Sequence, residues 1–266
     1  MAHLAPCYSA VNALVELQDF EFLKKIKEDS SLVSFFNSMK NPDGNQKGSF
    51  LMHKNGEFDT RSAYCAISCT NLLGLKEVDF SGTFEWLLSC QTYEGGFGGI
   101  PGAEAHGGYT FCALAGLILL DKSRLVNSHI SEMMRCLSWL NRRQMTIEGG
   151  FNGRTNKLVD ACYSFWQGAS PVLLKKYVFG GHESENDGEL ELFNDVALAA
   201  YMLGCCQASF GGLIDKPGKG PDFYHTCYGM SGYSLTKIGK IDGLQEIDPL
   251  YNVLKRFVDE AREKLD

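Results

Sequence analysis

The sequence predicts an all-α protein: an α/α toroid in which helical hairpins stack side by side in two concentric layers. Three observations lead there. Glycine turns recur, at Gly95-Gly96-Phe97-Gly98-Gly99, Gly149-Gly150-Phe151-Asn152-Gly153 and Gly211-Gly212-Leu213-Ile214-Asp215, each preceded by a glutamine (Gln91, Gln144, Gln207). After each turn comes a run of small and apolar residues with few charges, which reads as a helix buried on most sides. Anchor residues then recur ten positions beyond the fifth turn residue, at Tyr109, Tyr163 and His225, with His106, Asp160 and Asp222 three places ahead of them. Looser copies carry Arg61 with Tyr64, and Tyr8.

The elements follow in order. Residues 1–17 read as an inner helix without its turn and 18–40 as an outer helix, stopped by Asn41-Pro42-Asp43-Gly44. Asp59 is a cap for the next inner helix, and 83–90 form its outer mate. The loop 95–106 is glycine-rich, and 107–120 is the third inner helix. Residues 131–143 make an amphipathic outer helix with Met134, Leu137 and Leu140 on its apolar face. The fourth pair is 160–177 and 190–206, separated by an acidic exposed loop over 180–191. A loop over 239–249 and an amphipathic closing helix over 250–265 end the chain. Without a linker or a composition break, 1–266 reads as a single domain of about five repeats, the first truncated.

Bulk properties exclude several function classes. The net charge of −7 and a pI near 5.4 argue against a nucleic-acid surface. No apolar run approaches the roughly 20 residues that span a bilayer, and the start has no signal-peptide pattern. The ten cysteines lie scattered in apolar segments, as expected for reduced thiols in a cytoplasmic protein.

The chemistry concentrates at the inner-helix N-termini. Asp160 and Cys162 are two residues apart, so they can share a metal only where the backbone is just entering a helix. Alone, the pair reads equally as an N-cap and a buried thiol. The repeat adds His225 one unit along, which completes three ligands suited to zinc with a fourth position open. His106, Arg154 and Lys157 suit a diphosphate, although each singly is an ordinary loop group. Asp215 stands where the other two turns have Gly99 and Gly153, as a Mg²⁺ carboxylate or as a simple turn residue. Tyr64, Tyr109, Tyr163, Trp166 and Tyr228 line an apolar tunnel for a long hydrocarbon, or merely pack a core.

Three stretches go further: Pro101-Gly102-Ala103-Glu104-Ala105-His106-Gly107-Gly108-Tyr109-Thr110-Phe111-Cys112, Asn156-Lys157-Leu158-Val159-Asp160-Ala161-Cys162-Tyr163-Ser164-Phe165-Trp166, and Asp215-Lys216-Pro217-Gly218-Lys219 with Asp222 to Tyr228. They closely resemble the β subunits of the protein farnesyltransferases, and the likeness covers nearly the whole chain. The resemblance implies a heterodimer with a helical-hairpin prenyltransferase α subunit. It implies transfer of farnesyl from farnesyl diphosphate to the cysteine of a C-terminal CaaX motif. It places Zn²⁺ on Asp160, Cys162 and His225, and Mg²⁺ for the diphosphate on Asp215. It implies diphosphate contacts from His106, Arg154, Lys157 and Tyr163, and isoprenoid contacts from Arg61, Tyr64, Tyr109, Cys112 and Trp166. Gly107, Gly108, Thr155, Asn156, Ser164, Phe165 and Tyr228 belong to the same cofactor-binding set, and Asp160, Cys162, His225, Lys157, Tyr163 and Asp215 form the catalytic one.

The type I geranylgeranyl enzymes are similar, but the residues at Asp215 and around Tyr224–Tyr228 favour farnesyl. The family has a further helical repeat, bearing a Trp at the isoprenoid pocket, ahead of the point that matches residue 1; without it the expected ring is open and apolar helix faces are exposed. A truncated, inactive zinc-binding scaffold is therefore the competing expectation. A terpene-cyclase-like toroid needs an Asp-x-Asp-Asp motif, which the sequence lacks.

Overall fold

The computed structural model describes residues 2–180 and 192–265, so most of the acidic loop expected over 180–191 lies outside the described residues. The inner layer consists of α1 (Leu4–Glu16), α4 (Thr60–Leu73), α6 (Gly107–Ser128), α8 (Tyr163–Tyr177) and α10 (Phe223–Ser234). They pack in chain order, α1 on α4, α4 on α6, α6 on α8 and α8 on α10. Outside them lie α2 (Phe20–Glu28), α3 (Ser30–Met39), α5 (Thr83–Ser89), α7 (Ile130–Leu140) and α9 (Asp195–Tyr201), which continues as a π-helical turn over Met202–Cys206. The short α11 (Lys237–Ile241) follows α10. The closing α12 (Lys255–Leu265) packs on α1, α2 and α4, so the C-terminus is tied to the first repeat. The series is open: α1 and α10 face one another across a cavity of about 630 Å³ lined by Tyr8, Asn12, Glu16, Tyr228, Ser231 and Leu254.

The glycine turns have a steric cause. Gly95 has φ +108° and Gly149 φ +79°, where side chains are strained. A Cβ on either would also lie 2.3 or 2.4 Å from a carbonyl oxygen of the next outer helix, that of Arg135 or Ala197. The glutamine ahead of each turn clamps the same junction. Gln91 Nε2 donates to the carbonyls of Gly95 and Glu132, and Gln144 Nε2 to those of Gly149 and Asn194. The fifth turn residue joins the layers through its carbonyl: Gly99 accepts from Thr60 N–H, Gly153 from Gly107 N–H, and Asp215 from Ala161 N–H. That carbonyl tolerates any side chain. Tyr109 and Tyr163 lie over Gly99 and Gly153, where a Cβ would fall 3.1 and 2.1 Å from the ring; the third anchor is His225, and residue 215 has room for a carboxylate.

Several sequence expectations need correction. The outer segment 18–40 is two helices, because Asp29 ends α2 and caps α3 through Ser31 N–H. On α7 the buried face is Met133, Cys136, Trp139 and Leu140; of the expected stripe Leu140 is buried and Leu137 packs on the core, while Met134 is 53% exposed and Met133 takes its place. The third inner helix ends as expected before Asp121, whose φ/ψ of −163°/84° is not helical, and a second helical segment, not expected, carries α6 on to Ser128. The loop expected over 239–249 contains the end of α11. Residues 250–254, expected as helix, form a turn and one side of a two-stranded ribbon, β1 (Ile247–Asp248) with β2 (Val253–Leu254). Asp59 caps α4 as expected, in a capping box with Ser62.

Candidate active site

Asp160 lies in the bend before α8. Its Oδ1 accepts from Cys162 N–H at 2.9 Å. This Asx-type bond turns the backbone so that side chains two residues apart reach the same side, the condition that a regular helix denies. From the neighbouring α10, His225 brings Nε2 to 3.3 Å from Asp160 Oδ1. The ligand atoms of Asp160, Cys162 and His225 all lie within 4.8 Å of one another. A tetrahedral zinc site with bonds of 2.0–2.3 Å spaces its ligands about 3.5 Å apart, so a small side-chain closure suffices. The support is in place: Asp222 Oδ2 holds His225 Nδ1 at 2.6 Å, which leaves Nε2 for a metal, the usual carboxylate–histidine arrangement. Burial, and then the neighbouring Asp160, push the Cys162 thiol well above its usual range, so an ion must displace its proton. The donor set fits zinc.

Beside this cluster, at the N-termini of α6 and α8, lies a polar corner. Gly108 N–H donates to His106 Nδ1 at 3.2 Å, so the neutral ring carries its proton on Nε2. That nitrogen is 2.9 Å from the Tyr163 hydroxyl and donates to it, freeing the tyrosine proton for a third group. Burial and the nearby Arg154 hold His106 below its usual pKa, consistent with the neutral form. Arg154 reaches the corner from the loop after the Gly149–Gly153 turn, where its Nη1 is 2.5 Å from Glu104 Oε2. Lys157 is exposed, and Asn156 takes φ +60° to form the loop tip. Thr155 points sideways to Glu94 Oε1 at 3.1 Å. Asp215 is ion-paired with Lys216.

Next to this polar mouth runs a continuous aromatic wall. Tyr8, Tyr64, Phe111, Trp166, Tyr228 and Tyr224 follow one another with ring centroids 4.2 to 5.5 Å apart. Trp166 Nε1 donates to the Tyr224 hydroxyl at 3.0 Å, and the Tyr224 ring centroid is 5.1 Å from that of His225, so the wall reaches the Asp160–Cys162–His225 cluster. Arg61 sits at the edge, paired with Asp59 at 2.6 Å and 5.5 Å from the Tyr109 ring centroid. Cys112 is buried in the wall.

One expected member stands elsewhere. Ser164 is fully buried and points outward, its Oγ 3.0 Å from Met202 Sδ. Phe165 is fully buried in the same aromatic cluster, with its ring centroid 4.9 Å from Phe111 and 5.6 Å from Tyr228. Gly107 and Gly108 act through backbone; a Cβ on Gly107 would lie 2.4 Å from Gln167 Nε2. The sequence reading missed Phe111, one position after the repeat's threonine, and Glu104, the partner of Arg154. It also missed Tyr224, which the aromatic stripe through Tyr228 could have signalled by its helical spacing.

Comparison with known proteins agrees with this geometry. The prenyltransferase alpha-alpha toroid domain family matches residues 1–253. The protein farnesyltransferase subunit beta of Schizosaccharomyces pombe is 43% identical over 236 residues, covering 87% of this chain and 58% of that protein. The same subunit of Pisum sativum is 36% identical, over 99% of this chain and 77% of the relative. The structure resembles Candida albicans protein geranylgeranyltransferase-I complexed with GGPP, with a TM-score of 0.81 at 26% identity, covering 99% of this chain and 75% of that one. The family match and the pea relative leave no ambiguity: the chain belongs to the prenyltransferase alpha-alpha toroid family.

Proposed function

We propose that this chain is the catalytic β-type subunit of a zinc-dependent protein farnesyltransferase, acting with an α-type subunit on proteins that end in a CaaX motif. The observation that carries the reading is the placement of Asp160, Cys162 and His225 between the His106–Tyr163–Arg154–Lys157 corner and the aromatic wall. A thiol, a diphosphate and an isoprenoid would meet there. Zinc, when bound, acidifies an incoming cysteine thiol and presents it as a nucleophile. The residues of the chain supply the rest. The Tyr163 hydroxyl, itself receiving a hydrogen bond from His106, donates to the diphosphate, and Arg154 and Lys157 neutralise the charge that develops as the C–O bond breaks. The C–S bond forms at the same carbon, diphosphate leaves with the electron pair, and the thiol proton passes to solvent. The aromatic wall fixes the hydrocarbon so that its reactive carbon faces the metal ligands. Asp215, freed from Lys216, is the carboxylate we assign to Mg²⁺ on the leaving group.

The test is a transfer assay with the α-type subunit of such an enzyme, a CaaX peptide and either farnesyl or geranylgeranyl diphosphate, read by mass spectrometry. Addition of a C15 group, dependent on zinc and stimulated by Mg²⁺ less in Asp215→Ala than in the parent, is the expected result. A preference for C20 would favour the second reading, a type I geranylgeranyl subunit, which the likeness to the Candida enzyme supports. Zinc binding without any transfer would leave only a scaffold.

Glu104 gives a sharper check on the anion corner. In the ligand-free protein its carboxylate occupies the guanidinium that a diphosphate would take. Exposed ion pairs contribute roughly 0.2–1 kcal/mol, so Glu104→Gln should tighten inorganic pyrophosphate by about 1.5- to 5-fold in a calorimetric titration. Unchanged or weaker binding would mean that Arg154 does not exchange partners.

A further inference from the structure

Arg143 lies just beyond α7, in the connection to the Gly149–Gly153 turn. It is 6% exposed, the one arginine or lysine in the buried set among the described residues. Among those residues no carboxylate pairs with it within 4 Å. Its Nη1 donates to Thr155 Oγ1 at 3.3 Å, and Thr155 Oγ1 donates in turn to Glu94 Oε1 at 3.1 Å. The guanidinium carbon is 5.1 Å from the Trp139 ring centroid, and Nε is buried with no hydrogen-bond partner. An unpaired buried charge is costly, and core packing alone would be met by an apolar side chain.

What Arg143 holds is the loop that carries Arg154 and Lys157. Its carbonyl accepts from Asn152 N–H at 2.9 Å. Asn152 pairs with Val159 across the loop base, and its Nδ2 donates to the Lys157 carbonyl at 3.1 Å. Thr155 stands between these two anchors, next to Arg154 and two residues before Lys157. The bridge from Arg143 through Thr155 to Glu94 therefore fixes the loop from below and ties it to the preceding repeat's turn. The Glu94 carboxylate, one hydroxyl away, offsets part of the guanidinium's charge, so what Arg143 gives the loop is chiefly its shape.

We propose that Arg143 is a positioning residue for the diphosphate: through Thr155, and through its carbonyl's bond from Asn152, it sets the shape of the loop that carries Arg154 and Lys157. This rests on the reading of that loop as the diphosphate site. The test uses three variants of the full chain, each titrated calorimetrically with inorganic pyrophosphate and measured for zinc content and melting temperature. Thr155→Val cuts the bridge and keeps the buried charge; Arg143→Lys keeps the charge and loses the planar fork; Arg143→Met removes both. Pyrophosphate affinity is expected to fall about threefold to tenfold in the first two and more than tenfold in the third, scaled to charge-assisted hydrogen bonds. Zinc stays stoichiometric, and Thr155→Val melts with the parent. Parent-like affinity in both Thr155→Val and Arg143→Lys overturns the proposal, as does an Arg143→Met protein that melts lower yet binds pyrophosphate as the parent does. A parent that does not bind pyrophosphate overturns the reading of the loop itself, and this inference with it; a parent that binds alongside unchanged variants overturns this inference alone.

Discussion

Cys162→Ala is expected to empty the metal site and abolish prenyl transfer together, in a protein that still folds. Cys162 offers the one soft ligand of the cluster, and the remaining carboxylate and imidazole hold zinc far less tightly. The fold does not depend on the thiol. Cys162 is nearly buried at the entry to α8, and its backbone N–H, not its sulfur, makes the bond to Asp160 that shapes the turn. Alanine keeps that N–H, so the loss should be chemical with little change in stability. Zinc per chain measured by plasma emission, beside the far-ultraviolet circular dichroism spectrum, decides the matter. Stoichiometric zinc in folded Cys162→Ala would sink the assignment of the ligands.

The parts of this protein that could be read from its sequence are those fixed by backbone necessity. Gly95 and Gly149 recur because a Cβ would strike the next outer helix; Gln91 and Gln144 recur because one side-chain amide clamps the turn to that helix. These constraints recur in two consecutive units, so spacing reveals them. His225 could be placed beside Asp160 for the same reason: both fall at the inner-helix N-termini of adjacent repeats, three alignment positions apart. What could not be read depends on contacts between units. The partner of Arg154 is Glu104, fifty positions away in sequence and on the preceding loop. Nothing in local sequence says that Arg143 is buried or that Phe111 joins the wall. Helix phase failed where alternatives are adjacent: Met133 and Met134 are equally apolar, and only the tilt of α7 against α8 buries the first. Asp29 and Asp121 divide helices because an aspartate can bond a backbone amide in place of the helix ladder, a choice that the sequence permits at many aspartates and uses at few.

Phe111→Ala is expected to be the most damaging single change to stability, about 3–5 kcal/mol. Phe111 is fully buried on α6, with its ring centroid 5.5 Å from Tyr64 on α4 and 4.9 and 5.2 Å from Phe165 and Trp166 on α8. It is thus the side chain through which three consecutive inner helices touch. Truncation removes the transfer free energy of a phenyl ring and three aromatic contacts, which contribute about 0.5–1.5 kcal/mol each beyond burial. Refilling the void would require α4 and α8 to approach, but each is already fixed to α6 at its N-terminus by the bonds from Thr60 to Gly99 and from Gly107 to Gly153. The cavity should therefore persist. At about 2–4 °C per kcal/mol for a chain of this size, the melting temperature should drop by roughly 6–20 °C. Tyr93→Ala is the control: Tyr93 is 92% exposed at the tip of a turn, and its loss should change stability by no more than about 0.5 kcal/mol. Equal melting of the two variants would mean that the aromatic wall is a lining for ligand and not the element that holds the inner layer together.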